Sequence, residues 1–263
     1  MDIKMSEKLA MPNPSGSGNL SLNTATPLRS VVFRHEHKYL INRHDYLTLS
    51  GRLKHFMCRD RYAGAKGDYH IRSLYFDDFI DTALYEKQIG TLSRKKYRIR
   101  IYNLQSDVIK LEKKSRVGQF IHKQTLPLLK EHVDLISRSD FSFLKGLDDP
   151  LAREFYLDLN LKGYRPKVIV DYVREAFTLP YNNVRITFDK YLSTGLESTN
   201  LFDAKLPVIA AIDEPLDILE VKYTGFLPDY IKDLMRGYPC QRLAISKYTY
   251  CRKFTKTHSW EDQ

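Results

Sequence analysis

An α+β fold built on an antiparallel sheet follows from three features of the sequence. Short segments of alternating apolar and polar residues, rich in β-branched and aromatic side chains, recur along the chain with turn residues between them. Segments with apolar residues at helical spacing stand between groups of strands, not after every strand. The 263 residues include 18 Tyr and 13 Phe, a bias toward pleated surfaces. With 43% hydrophobic and 28% charged residues the composition is globular, which excludes disorder throughout.

The elements read in chain order as follows. Residues 1–30, with MPNPSGSGNLSLNTATP, bury too little apolar surface to offset ordering entropy and are expected to form a flexible tail. One folded domain is expected over 31–255, followed by a polar tail at 256–263 that contains Trp260. VVFRHEHKYLI (31–41) alternates as a strand, and Asn42 is placed to cap a helix carrying Tyr46, Leu49, Leu53 and Phe56. DYHIRSLYFD (68–77) is a strand, and a short helix through Ala83, Leu84 and Ile89 stops at Gly90. RKKYRIRIYN (94–103), VIKLEKKS (108–115) and QFIHKQTL (119–126) follow closely enough to be antiparallel hairpins. Helical patterns run from Leu128 to Leu144 and from Leu151 to Leu161. KVIVDYVREAFTL (167–179) and VRITFDKYL (184–192) are strands joined by a turn at Pro180 to Asn183. Strands are also expected at PVIAAID (207–213) and DILEVKY (217–223), a helix at Asp229 to Met235, and a last strand at Ile245 to Tyr250.

The charge balance is 42 Lys+Arg against 32 Asp+Glu, a net +10, which predicts an anionic partner: nucleic acid, a membrane surface or a phosphorylated molecule. Three cysteines at unrelated spacings give neither a disulfide framework nor a zinc motif. No apolar run approaches the ~20 residues of a membrane span, and no signal-peptide core is recognised. A soluble, cytoplasmic protein is expected.

Alternation assigns the charges to strand faces. Lys96, Arg98 and Arg100 share a face opposite Tyr97, Ile99 and Ile101. Lys110, Glu112 and Lys114 share another, as do Arg34, Glu36 and Lys38, then Tyr172 and Arg174, then Arg185, Thr187 and Asp189, then Glu220 and Lys222. A half-buried sheet with one wet face accounts for any single strand. The repetition of Arg and Lys over six strands suggests either an open basic sheet or a closed barrel with a charged interior, whose cations need an anionic guest. Arg forks and Lys ammoniums suit phosphate. Glu36, Glu112 and Glu220 among them are candidate metal ligands, since carboxylates and phosphate oxygens together suit a divalent cation, although balancing Lys38, Lys114 and Lys222 explains them equally well.

Glu36-His37-Lys38, SLYFD at 73–77, YRIRIY at 97–102, LEKK at 111–114, VREAF at 173–177, VRITFD at 184–189 and LEVKY at 219–223 together resemble the VTC domain. That is the polyphosphate polymerase domain of the vacuolar transporter chaperone complex, within the triphosphate tunnel metalloenzymes and akin to the CYTH phosphatases. The resemblance spans about residues 31–252. It implies an antiparallel eight-stranded β-tunnel, a closed barrel with a basic interior and helices packed outside. It also implies transfer of the γ-phosphate of ATP onto polyphosphate with Mn2+ or Mg2+. On matching positions, Lys38 would line the tunnel, Arg98 and Arg100 would clamp the nucleotide phosphates with Lys114, and Lys123 would add a contact. Arg174 would hold the transferred phosphate region, with Arg185 and Lys222 nearby, Lys247 would stand close to the reacting phosphate, and Glu220 would coordinate the metal. Neither an SPX regulatory domain nor a transmembrane segment is recognised, so a stand-alone, bacterial-type form is expected.

GxxxxGK[ST], GxGxxG and GxSxG motifs are absent from the sequence. His35, His37, His70, His55 and Cys58 are read as structural or surface residues, and Tyr75, Phe76 and Asp77 as strand-end packing. Three functions compete: a metal-dependent polyphosphate polymerase acting on ATP, an inorganic triphosphatase or polyphosphate hydrolase using triphosphate or pyrophosphate, and a non-catalytic polyphosphate binder. Nucleic acid ranks last as a partner, because the charged faces are poor in stacking aromatics.

Overall fold

The computed structural model describes residues 34–253 apart from Asp213, Pro239 and Cys240. The expected tails, Trp260 and the start of the first strand at Val31 to Phe33 lie outside the described residues.

The elements run β1 (Arg34–Asn42), α1 (Arg43–Leu53), β2 (Cys58–Arg59), β3 (Asp68–Asp77), α2 (Thr82–Gln88), β4 (Ser93–Tyr102), β5 (Gln105–Val117), β6 (Phe120–Leu128), α3 (Lys130–Ser137), α4 (Pro150–Leu161), β7 (Arg165–Leu179), β8 (Val184–Thr194), β9 (Ile209–Ala210), β10 (Leu216–Thr224), α5 (Asp229–Met235) and α6 (Lys247–Arg252). Local chemistry accounts for many of the boundaries. Asn42 caps α1 by accepting from the Asp45 amide at 2.8 Å. Asp149 caps α4, with Pro150 at its first position. Asn103 and Leu104, both at positive φ, make the two-residue turn that pairs Tyr102 with Gln105. Asn182 and Asn183, also at positive φ, turn β7 into β8.

All strand pairings are antiparallel. They form one ten-stranded sheet in the order β1-β10-β8-β7-β3-β4-β5-β6, with β2 on β7 and β9 on β8. The α+β architecture is as expected, but the closed eight-stranded barrel is not. Among the described residues no ladder joins β1 to β6, so the sheet is open at that seam.

The sheet is nevertheless strongly curled. Glu36 is on the first strand of the path and Lys114 on the seventh, so a flat sheet would hold them about 28 Å apart. Their charged ends lie 3.6 Å apart. Segment 243–245 runs along the unpaired edge of β1, with the Leu243 amide donating to the Lys38 carbonyl at 3.0 Å and Lys38 Nζ to the Ile245 carbonyl at 3.3 Å.

The convex face carries two apolar cores. Phe76, Tyr97, Ile99, Ile101, Leu111 and Leu126 pack under α3 and α4, through Val133, Ile136 and Phe155. Tyr39, Ile186, Phe188, Leu219 and Val221 pack under α1 and α5, through Leu49, Leu53 and Ile231. A third cluster lies on the concave side, where Ile71, Tyr75, Val168, Val170, Tyr172 and Ile218 meet Ile245, Tyr248 and Cys251 of α6 and its approach.

Four further expectations are corrected. Ile245 to Tyr250 is not a strand: Ser246 caps a helix by accepting from the Thr249 amide. That helix covers the concave face, so the helices are not all outside. The 207–213 strand shrinks to Ile209–Ala210, and the helical pattern over Leu128 to Leu144 breaks into α3 and a short 3-10 turn at Ser142–Gly146.

Candidate functional site

The strand registers put the charged faces on the concave side together. Arg98 stands opposite Glu112, Lys96 opposite Lys114, Lys114 opposite Lys123, Arg174 opposite Asp189, Thr187 opposite Glu220, Lys222 opposite Arg185 and Glu36, and Glu220 opposite Lys38. Seven strands thereby contribute a cation to one concavity.

Two buried carboxylates organise it. Glu112 accepts from Arg98 Nε at 2.7 Å and Nη2 at 2.6 Å, pairs with Lys123, and lies 3.8 Å from Arg100. Burial alone pushes this carboxyl up, but Arg98, Arg100 and Lys123 outweigh it and hold Glu112 well below the usual carboxylate range. The other Arg98 fork nitrogen donates to the Tyr75 hydroxyl at 2.8 Å. Arg100 donates from Nε to Ser73 Oγ at 3.2 Å and from Nη2 to the Tyr172 hydroxyl at 3.3 Å.

Asp189, fully buried, is the second organiser. Arg174 reaches it bidentately, Nε to Oδ1 at 2.6 Å and Nη2 to Oδ2 at 2.8 Å, and Lys247 Nζ lies 2.6 Å from Oδ2. Burial raises the Asp189 carboxyl, yet Arg174 and Lys247 pull it down to about 2. The Tyr172 ring lies beside both cations, 5.4 Å from Arg174 and 5.1 Å from Lys247. Lys247 is the first residue of α6, so the helix that covers the concave face also delivers an ammonium into it.

Glu220 connects this group to the β1 edge. Burial pushes its carboxyl up, but Lys38, Lys222, Lys247 and Arg174 surround it and hold it well below the ordinary value. Glu220 pairs with Lys222. Glu36 lies 3.2 Å from Lys38, 3.6 Å from Lys114 and 4.0 Å from Lys222. Glu36 is also close enough to Glu220 for the two charges to oppose each other.

The residues expected from the sequence thus fall into one locus for Lys38, Arg98, Arg100, Lys114, Lys123, Arg174, Lys222, Lys247, Glu36, Glu112 and Glu220. Arg185 stands at its rim, where Nη2 donates to Asp60 Oδ2 at 2.6 Å and to the Tyr69 hydroxyl at 3.1 Å. Both Glu112 oxygens accept hydrogen bonds, one from Arg98 and one from Lys123, which makes it an anchor for those two side chains. Among the described residues no cluster of three or more His, Cys, Asp or Glu forms a metal cage. Glu36 and Asp189 each lie close enough to Glu220 for the charges to oppose, and Asp189 is fully engaged by Arg174 and Lys247.

Tyr75, Asp189, Ser73 and Tyr172 support the site without having been singled out as site residues. Asp189 was visible as the third residue on the Arg185 and Thr187 face. Tyr75 had no signal beyond its register with Arg98.

No curated protein matches the chain. Solved structures resemble it loosely. A candidate adenylate cyclase from Bacillus halodurans is 13% identical with a TM-score of 0.45, over 76% of this chain and 84% of that one. The PH1012 protein from Pyrococcus horikoshii OT3 is 13% identical with a TM-score of 0.44, over 85% and 100%. No described helix is long and apolar enough to cross a membrane. Residues 33–256 match the VTC domain, which is most of the sequence, and the chain therefore belongs to the VTC domain family.

Proposed function

We propose that the chain is a metal-dependent phosphotransferase that moves the γ-phosphate of ATP onto a polyphosphate chain held in the concavity, which acts as a tunnel open along one seam. The observation that carries this reading is the convergence of Arg98, Arg100, Arg174, Lys38, Lys114, Lys222 and Lys247 on one face, held by the buried Glu112, Asp189 and Glu220 and by the half-buried Glu36. Such a preorganised array suits phosphoryl oxygens, whose charge it neutralises.

In this reading Arg98 and Arg100 hold the nucleotide phosphates, with Lys123 beside them. Arg174 and Lys247 stabilise the phosphoryl group in transfer. Lys114 joins Arg98 and Arg100 on the nucleotide phosphates, Lys38 and Lys222 hold the acceptor chain, and Arg185 guards the rim. The bond from the γ-phosphorus to the β,γ-bridging oxygen breaks, a bond forms to a terminal oxygen of the acceptor, and ADP leaves. A phosphate terminus is largely ionised at neutral pH, so no protein base is required. Glu112 and Asp189 act as positioning residues.

The family is metal-dependent, and the donor set here fits a divalent ion brought by the substrate. Glu36 and Glu220 would supply one or two carboxylate oxygens, and phosphate and water the others, a pattern typical of Mg2+ or Mn2+. Such an ion neutralises charge on the phosphoryl oxygens when bound.

Incubation with ATP and Mn2+ is expected to yield ADP and a polyphosphate ladder on a gel. Release of free phosphate in place of a ladder would identify a triphosphatase working on the same cations. No turnover with either Mn2+ or Mg2+ would contradict the enzyme reading.

A further inference from the structure

Not every cation on the concave face has a carboxylate. Arg94 and Arg116 stand directly opposite each other on β4 and β5, one register step outward from Lys96 and Lys114 on the same face. Like charges in that relation destabilise a sheet. Among the described residues neither guanidinium has an ion-pair partner within 4.0 Å: Arg94 Nη1 donates to the Thr91 carbonyl at 2.6 Å and Arg116 Nε to the Gly118 carbonyl at 2.7 Å. Lys87, at the end of α2, donates to the Ala244 carbonyl at 3.3 Å and likewise has no carboxylate partner. Burial, with Arg94, Lys38 and Arg116 adding to it, presses its ammonium below the ordinary value. The two arginines also border a cavity of about 790 Å³ between α2, the start of β4, the end of β5 and the end of α4. Glu86 and Asp78 are on its wall, so it is not uniformly basic, and Glu86 is close enough to Arg94 for the two charges to attract, though beyond ion-pair distance.

We propose that Arg94, Arg116 and Lys87 form a second anion subsite, which takes the distal phosphates of a long polyphosphate as the chain leaves the concavity over the β5–β6 turn. The proposal rests on the reading of the concavity as a phosphate site. Arg94 is four residues from Arg98, about 13 Å along the strand, so a triphosphate clamped at Arg98 and Arg100 does not span to it and a long chain does. Lys96 and Lys114 lie between, making a continuous cationic path. Two opposed guanidiniums with no direct ion pair among the described residues, and with Glu86 as the carboxylate that Arg94 feels, are explained when an anionic guest supplies the missing charge.

The test is calorimetric titration of the whole chain with inorganic triphosphate and with long-chain polyphosphate, compared through the ratio of their affinities. The wild type should favour the long chain. In Arg94→Gln/Arg116→Gln that preference should fall by about tenfold or more. Arg116→Glu puts a carboxylate opposite Arg94, so it should abolish the preference with no loss of thermal stability, which separates the effect from misfolding. A preference retained in both variants overturns the subsite. So does a wild type that binds triphosphate and shows no preference, an outcome that leaves the proposed function standing. A wild type that binds neither ligand overturns both.

Discussion

Tyr75 is placed so that its hydroxyl accepts from Arg98 while its ring stacks on Tyr248 at 5.1 Å. Burial raises its phenol, but Arg98, Lys96 and Arg100 outweigh that and pull it down to about 7. Burial lowers the neighbouring Lys96 ammonium to about 8, with Arg98, Lys114 and Lys38 pushing the same way and Tyr75 opposing. Loss of either proton lowers the net charge of the concavity by one, through a phenolate at Tyr75 or a neutral amine at Lys96. Triphosphate affinity is therefore predicted to fall as pH rises through about 7 and then about 8. Tyr75→Phe should flatten the first part of that fall, and an unchanged profile in that variant would show that the phenol does not titrate there. The charged members of the site were legible in the sequence because Arg and Lys two residues apart declare a strand face. Tyr75 was not, because a tyrosine in an apolar strand reads as packing until its cross-strand neighbour is known.

Most strands and the hairpins between β4, β5 and β6 were legible from alternation and turn chemistry, since one face of each meets an apolar core and the other does not. α6 was not. Ile245 to Tyr250 alternates well enough for a strand, and six residues are too few for helical periodicity to decide. What fixes the helix is tertiary: Ser246 caps it, and the Tyr248 hydroxyl donates to the buried Asp77 at 2.6 Å. Asp77 also accepts from the amides of Ala83 and Leu84, so one carboxylate ties β3 to the start of α2 and to α6. Tyr248→Phe removes one of these donors and is predicted to lower unfolding stability by about 1–3 kcal/mol, measured by denaturant titration. Because α6 also carries Lys247 to Asp189, the variant should weaken triphosphate binding as well. Full stability in the variant would mean that α6 is held by its apolar contacts alone.

At the scale of the whole molecule, the curl of the sheet turns separate basic strand faces into a site. The strand faces themselves were readable one by one. Whether they would spread over a flat surface or gather into a hollow was not, because that depends on twist and on contacts between the first and seventh strands of the path, such as Glu36 with Lys114. The open seam between β1 and β6 was equally hidden, since sequence carries no mark of which two edges remain unpaired. Gathering the cations in this way is costly without an anionic guest. The most direct measurement is a crystal structure with bound inorganic triphosphate. Phosphate oxygens are expected along the concave face, within hydrogen-bond distance of Arg98, Arg100, Arg174 and Lys247. Triphosphate found on the convex surface, with those four side chains still paired only to Glu112, Asp189 and their neighbours, would contradict this.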